Sequence, residues 1–247
     1  MFLTFATEVV ASFGFGLDGR SFDEADPEFR RMGEKPISVF EEEVVNYFRQ
    51  IIKATLNYRK EHKILRNDFL NYLLEIKSKP EEYVFTDEDV LAHAIGLFTD
   101  GYETSAAVTC HALYLLGANP GIQDTLVSEI KGVFQKNNEK IDSDIISEMH
   151  YLVMCETLCM HPSGLALFRV CTKPFTLPPP HGPGTGPEVL IEVNTPVIKP
   201  VYGLHDDPKY YDDPKIFKPS RCLGNNKETR TKCAYLPFGE GPRSCHG

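Results

Sequence analysis

Apolar residues recur at three- and four-residue spacing through the first part of the chain, which is the period of helices with one buried face. Phe2, Phe5, Val9, Val10 and Phe13 predict a helix over residues 1 to about 13, and Gly14, Gly16 and Gly19 end it. The stretch DEADPEFRRMG reads as the start of a second, short helix. Phe40, Val44, Phe48, Ile51 and Ile52 share one face of a helix over 40–61, and DFLNYLLEIK gives a shorter one over 68–77. Thr86 with Asp89 three residues on is a capping box built with the shorter acid. The pattern that follows runs from Asp87 to about Leu116 without a proline. That is well beyond ordinary helix length and enough to cross a whole domain. Asn119-Pro120 predicts the cap of a helix over PGIQDTLVSEIKGVFQK, and a further helix covers 143–160 and stops at His161-Pro162.

After Pro162 the pattern changes. Leu165–Val170 and Val189–Val193 read as short strands, with the turn-forming LPPPHGPGTGPE between them. From Pro200 to Gly247 the chain is rich in Pro, Gly and Asp and shows little periodicity. The expected fold class is mainly α with small β-sheets (α+β), organised around one long central helix. The expected organisation is a single domain over 1–247, with a helical part over 1–162 and a strand- and loop-rich part over 163–247. A long irregular stretch in a compact domain is usually functional or disordered. The ending YLPFGEGPRSC argues for functional.

Composition narrows the function classes. The chain has 247 residues, 42% hydrophobic and 25% charged, as in ordinary globular proteins. Its net charge of -9, with no dense Lys/Arg run, argues against nucleic-acid binding. The 7 cysteines include no C-x-x-C pair, and a chain this long needs no disulfide scaffold, so a reducing compartment is expected. Glu8 interrupts the first apolar run and no basic segment precedes it, so no signal peptide is read. No stretch reaches the apolar length of a membrane span, and any anchor of a parent protein lies outside this sequence.

Three places carry candidate chemistry. The first is PFGEGPRSCHG, in which paired glycines let the backbone turn tightly and approach a flat ligand. Arg243 suits a carboxylate, and Cys245 suits a metal as thiolate. The plainer alternative is a Gly/Pro turn ending in a buried cysteine. The second is DGYETS, in mid-helix, where Gly101 costs about 1 kcal/mol relative to alanine. Acid next to hydroxyl, Glu103 and Thr104, can pass protons through water to a bound reactant. The plainer alternative is a kinked helix with a solvated glutamate. The third is Glu156-Thr157-Leu158-Cys159, whose ends share a helix face.

Taken together, these residues resemble the cytochrome P450 monooxygenases, most closely the microsomal animal type, insect members included. The terminal loop is the most specific part of the match, and the resemblance makes its Cys245 the axial ligand of a haem. It makes Arg243 a partner of a haem propionate and packs Phe238 beside the sulfur. Glu103 and Thr104 match the family's acid-threonine pair beside a glycine in the helix over the haem, and Gly101 matches that glycine. Glu156 matches the first residue of the family's Glu-x-x-Arg, but Cys159 stands in place of its arginine. FKPSRC resembles the family's Phe-x-Pro-x-Arg-Phe, which gives Arg221 as a structural partner of Glu156 and leaves Cys222 where an aromatic is usual. HPSGLALFRVCTKPFTLP resembles the segment whose arginine reaches a propionate, and Arg169 fits it. VIKPVYGLHDDPKYYDDPKIFKP resembles the family's strand and following turn, with His205 as a structural hydrogen-bonder.

The resemblance covers essentially all of this chain and about half of a family member, so an incomplete cytochrome P450 fold is expected. It implies insertion of one oxygen atom from O2 into a small apolar substrate, with electrons from an NADPH-cytochrome P450 reductase. It also implies the cytoplasmic face of the endoplasmic reticulum membrane. Substrate contacts are expected from Leu97, Phe98 and Leu165 to Leu167. The alternative class is a truncated, catalytically inactive fragment of such an enzyme, suggested by Cys159 and by the missing segments. Only His246 and Gly247 follow Cys245, and a carboxylate at Gly247 would disfavour the thiolate. A weaker iron ligand than the motif suggests is therefore expected.

Overall fold

The computed structural model describes residues 1–20, 22–24, 27–33, 42–78, 84–137, 145–146, 149, 153–182, 184–223, 231 and 233–245. The chain divides into two compact units, Met1–Cys110 and His111–Gly247, with the boundary inside the longest helix. The fold is mainly helical with small antiparallel sheets, as the sequence pattern predicts.

The first unit is all-helical. Helix α1 spans Phe2–Val10 and continues into a wider π-turn over Ala11–Phe15 that closes at Gly16. Then come α2 (Glu28–Gly33), α3 (Glu42–His62), α4 (Phe69–Ser78) and the first part of α5 (Asp87–Ala118). Phe40, expected as the first apolar residue of the third helix, lies outside the described residues. An aromatic cluster fills the core. Phe98 packs against Phe29, Phe48 and Tyr102 at ring-centroid distances of 5.1, 5.3 and 5.4 Å. A buried ion pair ties the ends of α3 and α4 to the π-turn. Arg59 Nη1 donates to Asp68 Oδ1 at 3.0 Å and its Nη2 to the Phe15 carbonyl at 2.9 Å. Asp68 also accepts from the Asn71 backbone N–H at 3.0 Å and so caps α4.

The capping box at the start of α5 is formed reciprocally. The Thr86 N–H donates to Asp89 Oδ2 at 2.8 Å, and the Asp89 N–H donates to Thr86 Oγ1 at 3.2 Å. Thr86→Ala removes one of these bonds, and thermal unfolding should show a loss of about 1 kcal/mol.

In the second unit, the end of α5 and α6 (Pro120–Lys136) meet α7 (Val153–Met160). The upstream part of the expected helix over 143–160 lies largely outside the described residues. Ala112, Leu115, Leu116, Val153 and Phe217 form the core, with Ile122, Leu126 and Met160 against it. Asn119 does not cap α6 as expected. Its side-chain Nδ2 donates to the Leu115 carbonyl at 2.8 Å and closes the end of α5 instead. Pro120 occupies the first turn of α6, where no N–H is needed.

Two hairpin-like sheets follow. β1 (Leu167–Val170) pairs antiparallel with β4 (Pro196–Lys199), and Leu167 faces Lys199 in register. β2 (Phe175–Leu177) pairs antiparallel with β3 (Val189–Ile191), Phe175 facing Ile191. β2 escaped the sequence pattern because all three of its residues are exposed and no alternation marks it. The stretch after Pro200, read as irregular, contains the short helix α8 (Val201–His205) and a 3-10 turn at Pro219–Cys222.

Candidate functional site

The expected site residues fall into both units. Glu103 and Thr104 belong to the first. Both are exposed on α5, and the Thr104 hydroxyl donates to the Asp100 carbonyl one turn back. At Gly101 a methyl group would lie 3.6 Å from Val10 Cγ2, so α1 passes close to the helix backbone there. Phe98 is not a surface available to a substrate. It is fully buried in the aromatic core, which corrects the expected contact, while Leu97 is half-buried and packs against Gly14.

The other residues belong to the second unit, in three layers from α7 to the terminal loop. The deepest is Glu156, which α7 buries to 1% exposure. Its Oε1 accepts from Arg221 Nε at 2.8 Å and from the Lys218 backbone N–H at 3.0 Å. Arg221 spends its remaining donors on carbonyls, with Nη2 2.8 Å from that of Ile216 and 3.2 Å from that of Asp213. One guanidinium thus ties α7 to the loop over 213–216. Cys222 is buried beside them, its Sγ 3.9 Å from Glu156 Oε2. Cys159 is buried too, and it lines a cavity of about 250 Å³ with Met160, His161, Tyr202, His205, Asp206, Pro214 and Lys215. A longer side chain at position 159 therefore has space beside it.

The second layer holds the run that leads into the loop. His205 is buried, and its Nε2 accepts the Leu236 backbone N–H at 3.0 Å. The ring is therefore the neutral Nδ1–H tautomer, and Nδ1 donates to the Cys159 carbonyl at 3.1 Å. Tyr211 OH donates to the Ala234 carbonyl at 3.0 Å, and Tyr235 OH to the Cys155 carbonyl at 3.1 Å. Burial pushes the Tyr235 phenol far above its ordinary range, and the nearby Cys155, Cys222 and Cys159 thiols add to this, so it stays a donor. Sequence reasoning missed Tyr211 and Tyr235. Tyr235 carried a signal, since it stands directly ahead of the glycine loop.

The third layer is the loop itself. Gly239 and Gly241 adopt φ of +73° and +89°, where a side chain is strained. The turn they allow folds Cys245 back onto Phe238, and the Cys245 N–H donates to the Phe238 carbonyl at 2.8 Å. Phe238, Arg243 and Cys245 are all exposed. A methyl group at Gly239 would lie 3.7 Å from Leu167 Cδ2, so β1 abuts the loop. Arg169 lies on the same, less exposed face of β1 as Leu167, and its Nη1 donates to the Phe168 carbonyl at 2.8 Å. His246 and Gly247, and with them the expected effect of a carboxylate on Cys245, lie outside the described residues.

This donor set fits a haem. It offers one exposed sulfur, an exposed guanidinium two residues before it, a second on the adjoining strand, and a backbone flank free of Cβ atoms. Among the described residues no group of three His, Cys, Asp or Glu is placed to hold a metal ion. Among them, too, no helix is long and apolar enough to cross a membrane.

A family profile described as Cytochrome P450 matches residues 3–247. The chain is 33% identical to probable cytochrome P450 6a13 of Drosophila melanogaster, with 98% of the chain and 53% of that protein covered. It is 30% identical to cytochrome P450 6k1 of Blattella germanica, covering 98% of the chain and 54% of that protein. Against cytochrome P450 6B6 of Helicoverpa armigera it is 34% identical, with 85% of the chain and 43% of that protein covered. The chain thus spans about half the length of the curated relatives it matches.

Proposed function

This chain belongs to the cytochrome P450 family, and from that premise we propose that it carries the haem-holding part of a monooxygenase that acts on a small apolar substrate. The observation that carries the reading is the terminal loop: an exposed Cys245 folded onto Phe238 by a turn through two left-handed glycines. Residues 1–247 are read as one incomplete catalytic domain. Haem held through a thiolate supplies oxygen activation, because the sulfur pushes electron density toward O–O cleavage.

The chain's own residues then divide the work. Cys245 Sγ is the iron ligand, and its backbone bond to Phe238 fixes where the sulfur sits. The Arg243 and Arg169 guanidinium groups bind and orient the propionates as charge-assisted donors. Phe238 packs beside the sulfur. Glu103 and the Thr104 hydroxyl pass protons through water toward the reactant. Glu156 and Arg221 act through the loop as positioning residues. Leu165 and Leu167 line the substrate side. The electron donor is an NADPH-cytochrome P450 reductase, and the location is the cytoplasmic face of the endoplasmic reticulum membrane.

Haem added to the purified chain should co-elute with it on gel filtration, and the loaded chain with reductase and NADPH should oxidise an alkyl aryl ether probe. A chain that takes up haem but oxidises no probe would reject the monooxygenase reading and favour an inactive fragment. The cavity beside Cys159 gives a further expectation. Cys159→Arg supplies the family's cation three residues along α7 from Glu156, with that cavity to receive it, and should slow haem loss to apomyoglobin. If neither haem loss nor stability changes, the carboxylate of Glu156 does not govern the loop.

A further inference from the structure

The last turns of α5 meet the residue after α7 through two imidazole rings. His111 and His161 stack face to face, with centroids 4.6 Å apart and planes 10° from parallel. Directly beside them Ala112, Leu115 and Leu116 pack with Val153 and Met160. A stack at this spacing tolerates one proton. Two imidazolium rings so close repel one another, and the second proton is bound only at a cost.

Among the described residues, the surroundings do not relieve that repulsion. On α5 the neighbouring titratable groups are Cys110 and Tyr114, both exposed. The cavity that His161 lines brings Cys159 from α7, Tyr202, His205 and Asp206 from α8 and its end, and Lys215 from the following loop. His205 is committed at both ring nitrogens. Asp206 and Lys215 bring opposite charges to the same cavity. Burial, then His111, holds His161 below its ordinary value.

We propose that the His111–His161 stack is a pH-sensitive clasp between the end of the long helix and α7, closed while at most one ring is protonated and released when both are. The direction follows from linkage. The folded chain favours neutral His161, so the contribution of the stack is complete above the ordinary histidine value of about 6.5. Below it, the unfolded chain takes up a proton that the folded chain resists, and stability is lost until the pH reaches the lowered value. Because α7 carries Glu156, release loosens the helix from which the loop is positioned.

The test is a titration of the histidine ring resonances of the labelled full chain from about pH 8 to about pH 5. It is run on the wild type, His111→Gln and His161→Phe, with amide exchange over residues 112–118 at each pH. His161 should titrate higher in His111→Gln than in the wild type. Acid should strip amide protection from 112–118 in the wild type and spare it in His161→Phe, which keeps a ring but takes no proton. An unchanged His161 titration in His111→Gln overturns the proposal. So does equal acid loss of protection in His161→Phe.

Discussion

Glu156→Ala is expected to destabilise the chain by about 3–5 kcal/mol, the usual cost of stranding one member of a buried ion pair. The carboxylate is 1% exposed and accepts both the Arg221 guanidinium and the Lys218 N–H through one oxygen. Alanine takes the Glu156 counter-charge away from Arg221 and the Glu156 acceptor away from the Lys218 N–H. Against a typical stability of about 5–15 kcal/mol, that is enough to unfold a marginal domain. Urea denaturation followed by circular dichroism reads the loss directly. Glu156→Gln keeps an oxygen for Lys218 and should fall between wild type and alanine. A loss under about 1 kcal/mol for alanine would mean that the pair does not hold α7 to the loop over 213–216.

The second large effect is at Cys245. Replacing it with serine exchanges a soft sulfur donor for a hydroxyl that stays protonated near neutral pH. With the loop otherwise intact, the haem-loaded variant should lose the thiolate-type spectrum completely and hold haem more weakly. The fold should be unchanged, since Cys245 is exposed and anchors the turn through its backbone N–H, which serine retains. Equal urea midpoints for the two proteins would establish that control. A serine variant with the wild-type spectrum would remove Cys245 from the iron.

The features legible in the sequence were those written in local chemistry. Thr86 and Asp89 announce the start of α5 because both halves of a capping box lie within one turn. Gly239 and Gly241 announce the loop because a left-handed backbone selects glycine. Other features depended on distant partners. His205 meets Cys159 and Leu236, far apart in sequence, and only the fold brings their backbones to its two nitrogens. Phe98 sits on a helix whose polar and apolar residues are poorly segregated, so the sequence pattern did not mark its side as buried. Asn119-Pro120 is ambiguous by nature, since an asparagine between two helices can close the first or open the second. Glu156 and Arg221 were paired by family resemblance, and the structure gives that pair its distance and its third partner, Lys218.

The central claim is that Cys245 binds haem iron through sulfur. The measurement that meets it most directly is the difference spectrum of the haem-loaded wild-type chain, reduced and saturated with carbon monoxide. A thiolate-type Soret band that vanishes in Cys245→Ser is the predicted result. An imidazole-type band in both proteins, or no uptake of haem at all, would contradict the account.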